Sequence, residues 1–458
     1  MGKTRRDDRV QVEIEGMNER GEGIGRYRNQ SVAIPLTIPG ETVAARVVKT
    51  TGTMVLAHGV TLLEASADRV LPRCAHFGLH GCGLCQWQHV DGAVQALIKQ
   101  DMLTELLERE GITNPPVRAI IAAPHAWGYN HHMTFTVADR ATHAPVRADA
   151  PIPEPDVAAE QDPDAARDGD DDDAPLPVPP DDHYLGYPSL GDDNRILPIE
   201  VCHILHPDLL ALYPQLDLDL TNIRRVRMQI GSDGAAMLVL TLLSDQAPLV
   251  TTDQRLSVNA ILPDNEPINL IGESHSRIVV KGHEFRATAG SFFRANIAQI
   301  PALVDAVIEL LDPQPHQTVL DLYAGVGVFS AFIAPRAALV MLVESYPPAV
   351  TDADHNLRDI GNIDVIEGGV DVVLEALDER CDAAVIDPPT RGVSDGAIQA
   401  LAALGVKRIV YVASDVGQMA RDAKKLRKAG YRLETIQPID TNPQTVQLDA
   451  VALFTRAD

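Results

Sequence analysis

Three of the chain's five cysteines fall within twelve residues, at Cys74, Cys82 and Cys85 of Cys-Ala-His-Phe-Gly-Leu-His-Gly-Cys-Gly-Leu-Cys. Thiolates gathered on a short loop with glycines suit a soft metal ion or an iron–sulfur cluster. A fourth ligand is then needed, and Cys202 in Ile-Glu-Val-Cys-His is the only plausible cysteine. The fifth, Cys381, lies far along the chain in a different kind of segment. With so few cysteines and no apolar leader in Met-Gly-Lys-Thr-Arg-Arg-Asp-Asp, a disulfide framework is not expected; a reducing cytoplasm is.

A second set of residues points to a nucleoside-containing cofactor. Asp321-Leu-Tyr-Ala-Gly-Val-Gly-Val-Phe reads as the end of a strand and the start of a helix. Gly325 and Gly327 let the backbone pass close beneath a ligand without a Cβ in the way. The next strand ends in Glu344, placed to accept hydrogen bonds from a ribose diol. The extra acid at Asp321 and the lack of a third glycine favour S-adenosylmethionine over a dinucleotide.

These residues need three kinds of scaffold. Residues 9–66 alternate apolar and polar positions in short runs broken by Gly21, Gly23, Gly25 and Gly40, which predicts five strands closing into a small barrel of the oligonucleotide-binding kind. A helix is expected from Val94 to Glu110, and a hairpin whose two strands begin near His132 and Tyr184. From Pro301 onward a helix and near-continuous apolar strands alternate, as in a doubly wound parallel sheet buried on both faces. The domain limits follow as 8–66, 67–283 and 284–458. Residues 149–182 hold 13 Asp or Glu against one Arg, and 141–182 read as a disordered acidic insertion. A net charge of −25 argues against a simple nucleic-acid binder, so any RNA contact must rest on a local basic patch. No apolar run is long enough to span a membrane.

The chain resembles the RNA uracil-C5 methyltransferases, which join a TRAM barrel, an α+β iron–sulfur middle domain and a Rossmann-like methyltransferase domain. The resemblance runs nearly end to end. It rests on the barrel, on Cys74, Cys82 and Cys85 followed by Gln86, and on Cys202 before Ile-Leu-His-Pro. Further matches are Gly290-Ser-Phe-Phe-Arg-Ala-Asn, Asp321-Leu-Tyr-Ala-Gly-Val-Gly-Val-Phe-Ser, Asp387-Pro-Pro-Thr-Arg-Gly and Asn442-Pro-Gln-Thr. It implies a [4Fe–4S] cluster on the four cysteines, with zinc using His76 or His80 as the rival. It also implies S-adenosylmethionine held by Arg294, Tyr323, Gly325, Gly327, Glu344 and Asp387, a ribosomal or transfer RNA partner, and a monomer.

The resemblance also marks what is missing. Such enzymes add a cysteine thiolate to C6 of uracil, which makes C5 nucleophilic toward the methyl group; a carboxylate then removes the C5 proton. The nucleophile position is held by Ser414 in Ala-Ser-Asp-Val, and the base position by Asp449, one methylene shorter than the usual glutamate. Arg294 stands for an expected glutamine, Gly368-Gly369 for an acid, and Tyr129-Asn-His-His-Met for a segment that tends to carry cations. Asp415 is expected to cap the helix that follows Ser414. Cys381 precedes its strand and so lies at the wrong end of the sheet to substitute. The expected function is an S-adenosylmethionine-dependent RNA methyltransferase with altered or reduced chemistry. The alternatives are an inactive RNA-binding or assembly factor, and a non-covalent N- or O-methyltransferase, which Thr390 disfavours because it cannot stack on a flipped base.

Overall fold

The computed structural model describes residues 4–140, 183–252 and 255–456. The acidic insertion expected at 141–182 lies outside the described residues. Five strands, β1 (Arg9–Met17), β2 (Gly23–Tyr27), β3 (Gln30–Ile34), β4 (Thr42–Thr51) and β5 (Met54–Glu64), close into a barrel in the order β1-β2-β3-β5-β4. Strict alternation drives the closure: Val10, Val12 and Ile14 point inward while Arg9, Gln11 and Glu13 stay in water.

The cysteine loop leads into α1 (Gly92–Arg109), capped by Asp91, whose side chain accepts a hydrogen bond from the Ala93 amide. A seven-stranded sheet follows, built from β6 (His132–Asp139), β7 (His183–Ser189), β8 (Asp192–Pro198), β9 (Ile223–Ile230), β10 (Ala236–Leu242), β11 (Leu256–Ile261) and β12 (Pro267–Ile271) in the order β12-β11-β10-β9-β6-β7-β8. The short helix α2 (Pro207–Leu212) sits against its apolar face through Leu209. β6 and β7 pair antiparallel, so the expected hairpin is present across the insertion.

Next comes the hairpin of β13 (His275–Val280) and β14 (His283–Thr288), and the 283/284 boundary falls inside it. Its Val280, Phe285 and Ala287 share a core with Leu303 and Val307 of α3 (Ile300–Leu311). The last unit runs β15 (Thr318–Leu322), α4 (Val328–Ile333), β16 (Leu339–Glu344), α5 (Pro347–Leu357), β17 (Ile363–Glu367), α6 (Val370–Ala376), β18 (Ala383–Ile386), α7 (Asp395–Ala403), β19 (Arg408–Ala413), α8 (Val416–Lys428), β20 (Tyr431–Ile439) and β21 (Asp449–Arg456). The sheet order is β17-β16-β15-β18-β19-β21-β20, with β21 alone running opposite to the other six.

Alternate residues of one strand enter different cores: Val319 packs with α3, Leu320 with α7 and α8. Both faces are therefore covered, which is why these strands read as continuous apolar runs. The strand order reverses between β15 and β18, and the crevice beyond their carboxyl ends is where such sheets bind ligands. α1 is tied to this unit by the buried pair of Lys99 Nζ and Asp440 Oδ1 at 2.6 Å, which fixes the loop leading to β21.

Candidate functional site

Tyr323, Glu344, Asp387 and Ser414 each lie at or just beyond the carboxyl end of one parallel strand, and all four line one cavity of about 1850 Å³. The glycine turn forms its floor. Tyr323, Gly325 and Gly327 have φ of 60°, 56° and 87°, and a Cβ on Gly327 would collide with Leu357 of α5. Glu344 is held from two sides. Its Oε2 accepts from the Gly325 amide at 2.9 Å, and its Oε1 from the Ser345 and Tyr346 amides at 2.7 and 2.8 Å. The turn and the acid are thus one unit, suited to a nucleoside: a bare backbone beneath, a fixed acceptor beside. Burial pushes the Tyr323 phenol up to about 12, so it donates and does not ionise. Asp371, on the first turn of α6, lines the cavity and accepts from Ser394 Oγ. It offers a carboxylate two positions beyond Gly369, which sequence reading passed over.

A smaller adjoining cavity of about 450 Å³ shares Phe292, Tyr323, Gly325 and Asp387 and adds Arg294 and the apolar Phe329 and Leu303. Phe292 is 63% exposed at the junction, an aromatic face open to a stacking partner.

Arg294 closes the rear wall. Its Nη1 and Nη2 donate to Asp387 at 2.7 and 2.9 Å, and its Nε donates to Asp449 at 2.8 Å. The residue expected to face the cofactor therefore also locks two carboxylates together. Thr441 Oγ1 donates to the other Asp449 oxygen at 3.1 Å. Burial raises the Asp449 pKa, a push that Arg294 opposes. Asp449 sits where a base was expected, but two of its acceptor positions are taken.

Ser414 is exposed at the end of β19 and lines the main cavity with Lys425, and no histidine is among the lining residues. Asp415, not Ser414, caps α8, accepting from the Gln418 amide at 2.8 Å. Lys425 Nζ is engaged, donating to the Val393 carbonyl and to Asp422, each at 2.8 Å. Cys381 is buried in the core at the amino end of β18, away from the cavity, as expected.

Cys74, Cys82, Cys85 and Cys202 come together from two segments around one cavity of about 350 Å³, whose wall also includes His76, His203, Gln88, Phe77 and Tyr187. Burial, with the neighbouring cysteines adding to it, pushes Cys82 up to about 12 and Cys202 up to about 11. Four thiols lining one space, without a carboxylate among them, fit a group that binds thiolate sulfur. Among the described residues, no three His, Cys, Asp or Glu form a group that could hold a metal ion. His76 Nε2 already accepts from the Glu200 amide at 3.2 Å, and His80 packs edge-on against His58. The four cysteines alone suit either an iron–sulfur cluster or a zinc ion.

Residues 3–59 match the TRAM domain. An uncharacterized RNA methyltransferase of Streptomyces avermitilis is 28% identical, over 98% of each chain. The 23S rRNA (uracil(1939)-C(5))-methyltransferase of Shewanella frigidimarina is 26% identical, over 97% of this chain and 95% of its own. The crystal structure of Pyrococcus abyssi tRNA (uracil-54, C5)-methyltransferase in complex with S-adenosyl-L-homocysteine superposes with a TM-score of 0.68 at 19% identity, over 97% and 99% of the two chains, which establishes a shared three-part fold. Over nearly its whole length the chain is thus similar to RNA methyltransferases, a uracil-C5 enzyme among them. The shared fold makes Ser414, Arg294 and Asp449 positions within a common frame. No helix among the described residues is long and apolar enough to cross a membrane.

Proposed function

We propose that this chain is an S-adenosylmethionine-dependent RNA methyltransferase of the uracil-C5 type whose covalent route is altered. The observation that carries the reading is one continuous cavity, with the Tyr323–Gly327 turn and Glu344 at one end and Ser414 and Asp387 at the other. Methyl transfer requires the sulfonium carbon and the accepting base to share such a space. Glu344 would receive the ribose diol, Tyr323 and the glycine turn would cradle the nucleoside, and Phe292 would stack on the target base.

The chemistry is where the chain departs. A serine hydroxyl is a weak nucleophile unless a base removes its proton, and the cavity wall supplies no histidine to Ser414. Asp449 is held as an ion-pair partner by Arg294, with its other oxygen accepting from Thr441, which leaves it few free acceptor positions for a proton from carbon. Cofactor and RNA binding remain, with reduced transfer at C5 or transfer by another route. Calorimetry with S-adenosylmethionine, then labelled methyl transfer to unmodified ribosomal and transfer RNA with products mapped by mass spectrometry, tests this. Absence of cofactor binding defeats the enzyme reading; robust 5-methyluridine formation that is lost in Ser414→Ala defeats the altered route.

The Arg294 clamp favours one second reading, an RNA-binding factor without turnover. Its mark is cofactor affinity without transfer to any RNA.

Cys74, Cys82, Cys85 and Cys202 would hold a [4Fe–4S] cluster, which there supplies a covalent staple between the 74–85 loop and the segment after β8. Iron and acid-labile sulfide content, with visible absorption lost in Cys202→Ser, tests it. Under this reading the chain acts as a monomer in the cytoplasm.

A further inference from the structure

A fourth cavity, of about 320 Å³, lies between the seven-stranded middle sheet and the methyltransferase unit. Its wall includes Arg227 and Gln229 of β9, His132 of β6, Ser276 of β13, and Ser291 and Arg294 from the loop after β14. No carboxylate lines it, in a chain whose net charge is −25. The charge of Arg294 is already met by Asp387 and Asp449. That of Arg227 is not. Among the described residues Arg227 has no ion pair, its Nε is buried without a hydrogen-bond partner, and the other titratable groups on the wall, His131, His132 and Arg294, bring it no negative charge.

His132 is no substitute counter-ion or cation. Burial drives its pKa down to about 3, and its Nε2 is 2.7 Å from the Phe293 carbonyl, so the ring is neutral. Burial also lowers Arg227, but only to about 10, and it keeps its charge at neutral pH. Nearby donors are available: Ser276 Oγ accepts from Gln229 Nε2 at 2.8 Å, which leaves its own proton to give. A solitary guanidinium in a carboxylate-free cavity is poorly placed for the fold and well placed for an oxyanion, since its planar fork matches phosphate oxygens.

We propose that Arg227, with Ser276, forms a phosphate-binding site that takes one backbone phosphate of the RNA beside the target nucleotide. The proposal rests on the RNA reading above, and it answers a difficulty in that reading. The Tyr129-Asn-His-His-Met segment lacks cations, yet Arg227 lies opposite Thr134 on the neighbouring strand and brings a cation to the same sheet face region from another part of the chain. Arg294 links this cavity to the catalytic one, because it lines both the cofactor-side space and this one.

The test uses the full-length protein, Arg227→Gln and Arg227→Lys, with two probes: a fluorescent uridine-rich oligoribonucleotide and inorganic phosphate. Loss of a charged hydrogen-bonding partner should weaken RNA binding about tenfold to a hundredfold in Arg227→Gln. The slope of log affinity against log salt should shrink by about 0.7, the share of one single-stranded phosphate. Arg227→Lys should restore the slope and only part of the affinity. In phosphate-free buffer Arg227→Gln should melt no lower than the parent protein, while phosphate raises the parent's melting temperature and not the variant's. An unchanged salt slope in Arg227→Gln overturns the proposal. So does a lower melting temperature in phosphate-free buffer in both variants, which would assign Arg227 to the fold. If the parent binds phosphate through Arg227 but no RNA, the anion is a free phosphate: the RNA assignment falls, and the function proposed above falls with it. If RNA binds the parent and Arg227→Gln alike, only the phosphate site falls.

Discussion

Arg294 donates to Asp449 through Nε at 2.8 Å, from a position 155 residues earlier in the chain. Its two remaining nitrogens grip Asp387, so one cation spans the two carboxylates that bracket the reaction space. The three side chains are 14%, 15% and 5% exposed, too dry for solvent to replace a lost partner. Arg294→Gln should therefore lower unfolding stability by about 3–5 kcal/mol, the range for breaking a buried pair. Urea denaturation of the variant measures this. A loss below about 1 kcal/mol would mean the clamp is solvated and weak, as for an exposed pair.

Ser414 is open to the cavity, so a thiol placed there meets the same space. Ser414→Cys should form a covalent complex with RNA containing 5-fluorouridine, because fluorine at C5 cannot leave as a proton and the adduct is held. The parent protein should form none. Denaturing gel electrophoresis reads the difference. An adduct of equal yield in the parent would show that the serine is activated after all. Ser414→Ala should leave any methyl transfer by the parent unchanged.

Much of the scaffold was open to reading because its physics is local. Period-two alternation in Val10, Val12 and Ile14 announces a half-buried strand, and continuous apolar runs such as Val340–Val343 announce a strand covered on both faces. The cysteine site was legible for a different reason: thiols are scarce, so four of them leave few ways to meet. Arg294 could be placed near the cofactor but not joined to Asp387 and Asp449, since each lies in a different motif and pairing depends on distance. Lys99 and Asp440, 341 residues apart, were invisible in the same way. Arg227 was missed because its significance is the lack of a partner, which no residue pattern records.

Glu344 couples the cofactor cradle to its own turn by accepting from Gly325, Ser345 and Tyr346 at once. Glu344→Gln keeps the size but puts an amide donor against one of those N–H groups. S-adenosylmethionine should then bind about tenfold or more weakly, in line with the loss of a charged hydrogen bond worth about 1.5–3 kcal/mol. Calorimetry on the variant checks it. Unaltered affinity would place the ribose elsewhere, with Asp371 as the next acid on the cavity wall.

Asp321 gives a pH prediction whose sign can be worked out. It is fully buried; Oδ2 accepts from Ser330 Oγ at 2.6 Å, and Oδ1 has no partner among the described residues. Burial, with Asp387 and Glu344 adding to it, pushes its pKa up to about 7. The unfolded chain releases this proton near pH 4, whereas the folded chain keeps it until about pH 7. Between those values the unfolded state binds fewer protons, so this residue's contribution to stability falls as pH rises and levels off above about 7. Asp321→Asn removes that slope while leaving an oxygen to accept from Ser330. The variant should gain on the parent by up to about 4 kcal/mol between pH 4 and pH 8, since each tenfold difference in proton affinity between the folded and unfolded chain is worth about 1.4 kcal/mol. Urea midpoints of both proteins across that range give the difference directly, and other titrating groups cancel. A difference that does not grow with pH would mean that Asp321 is ionised in the folded protein, with its charge met by a group other than Ser330.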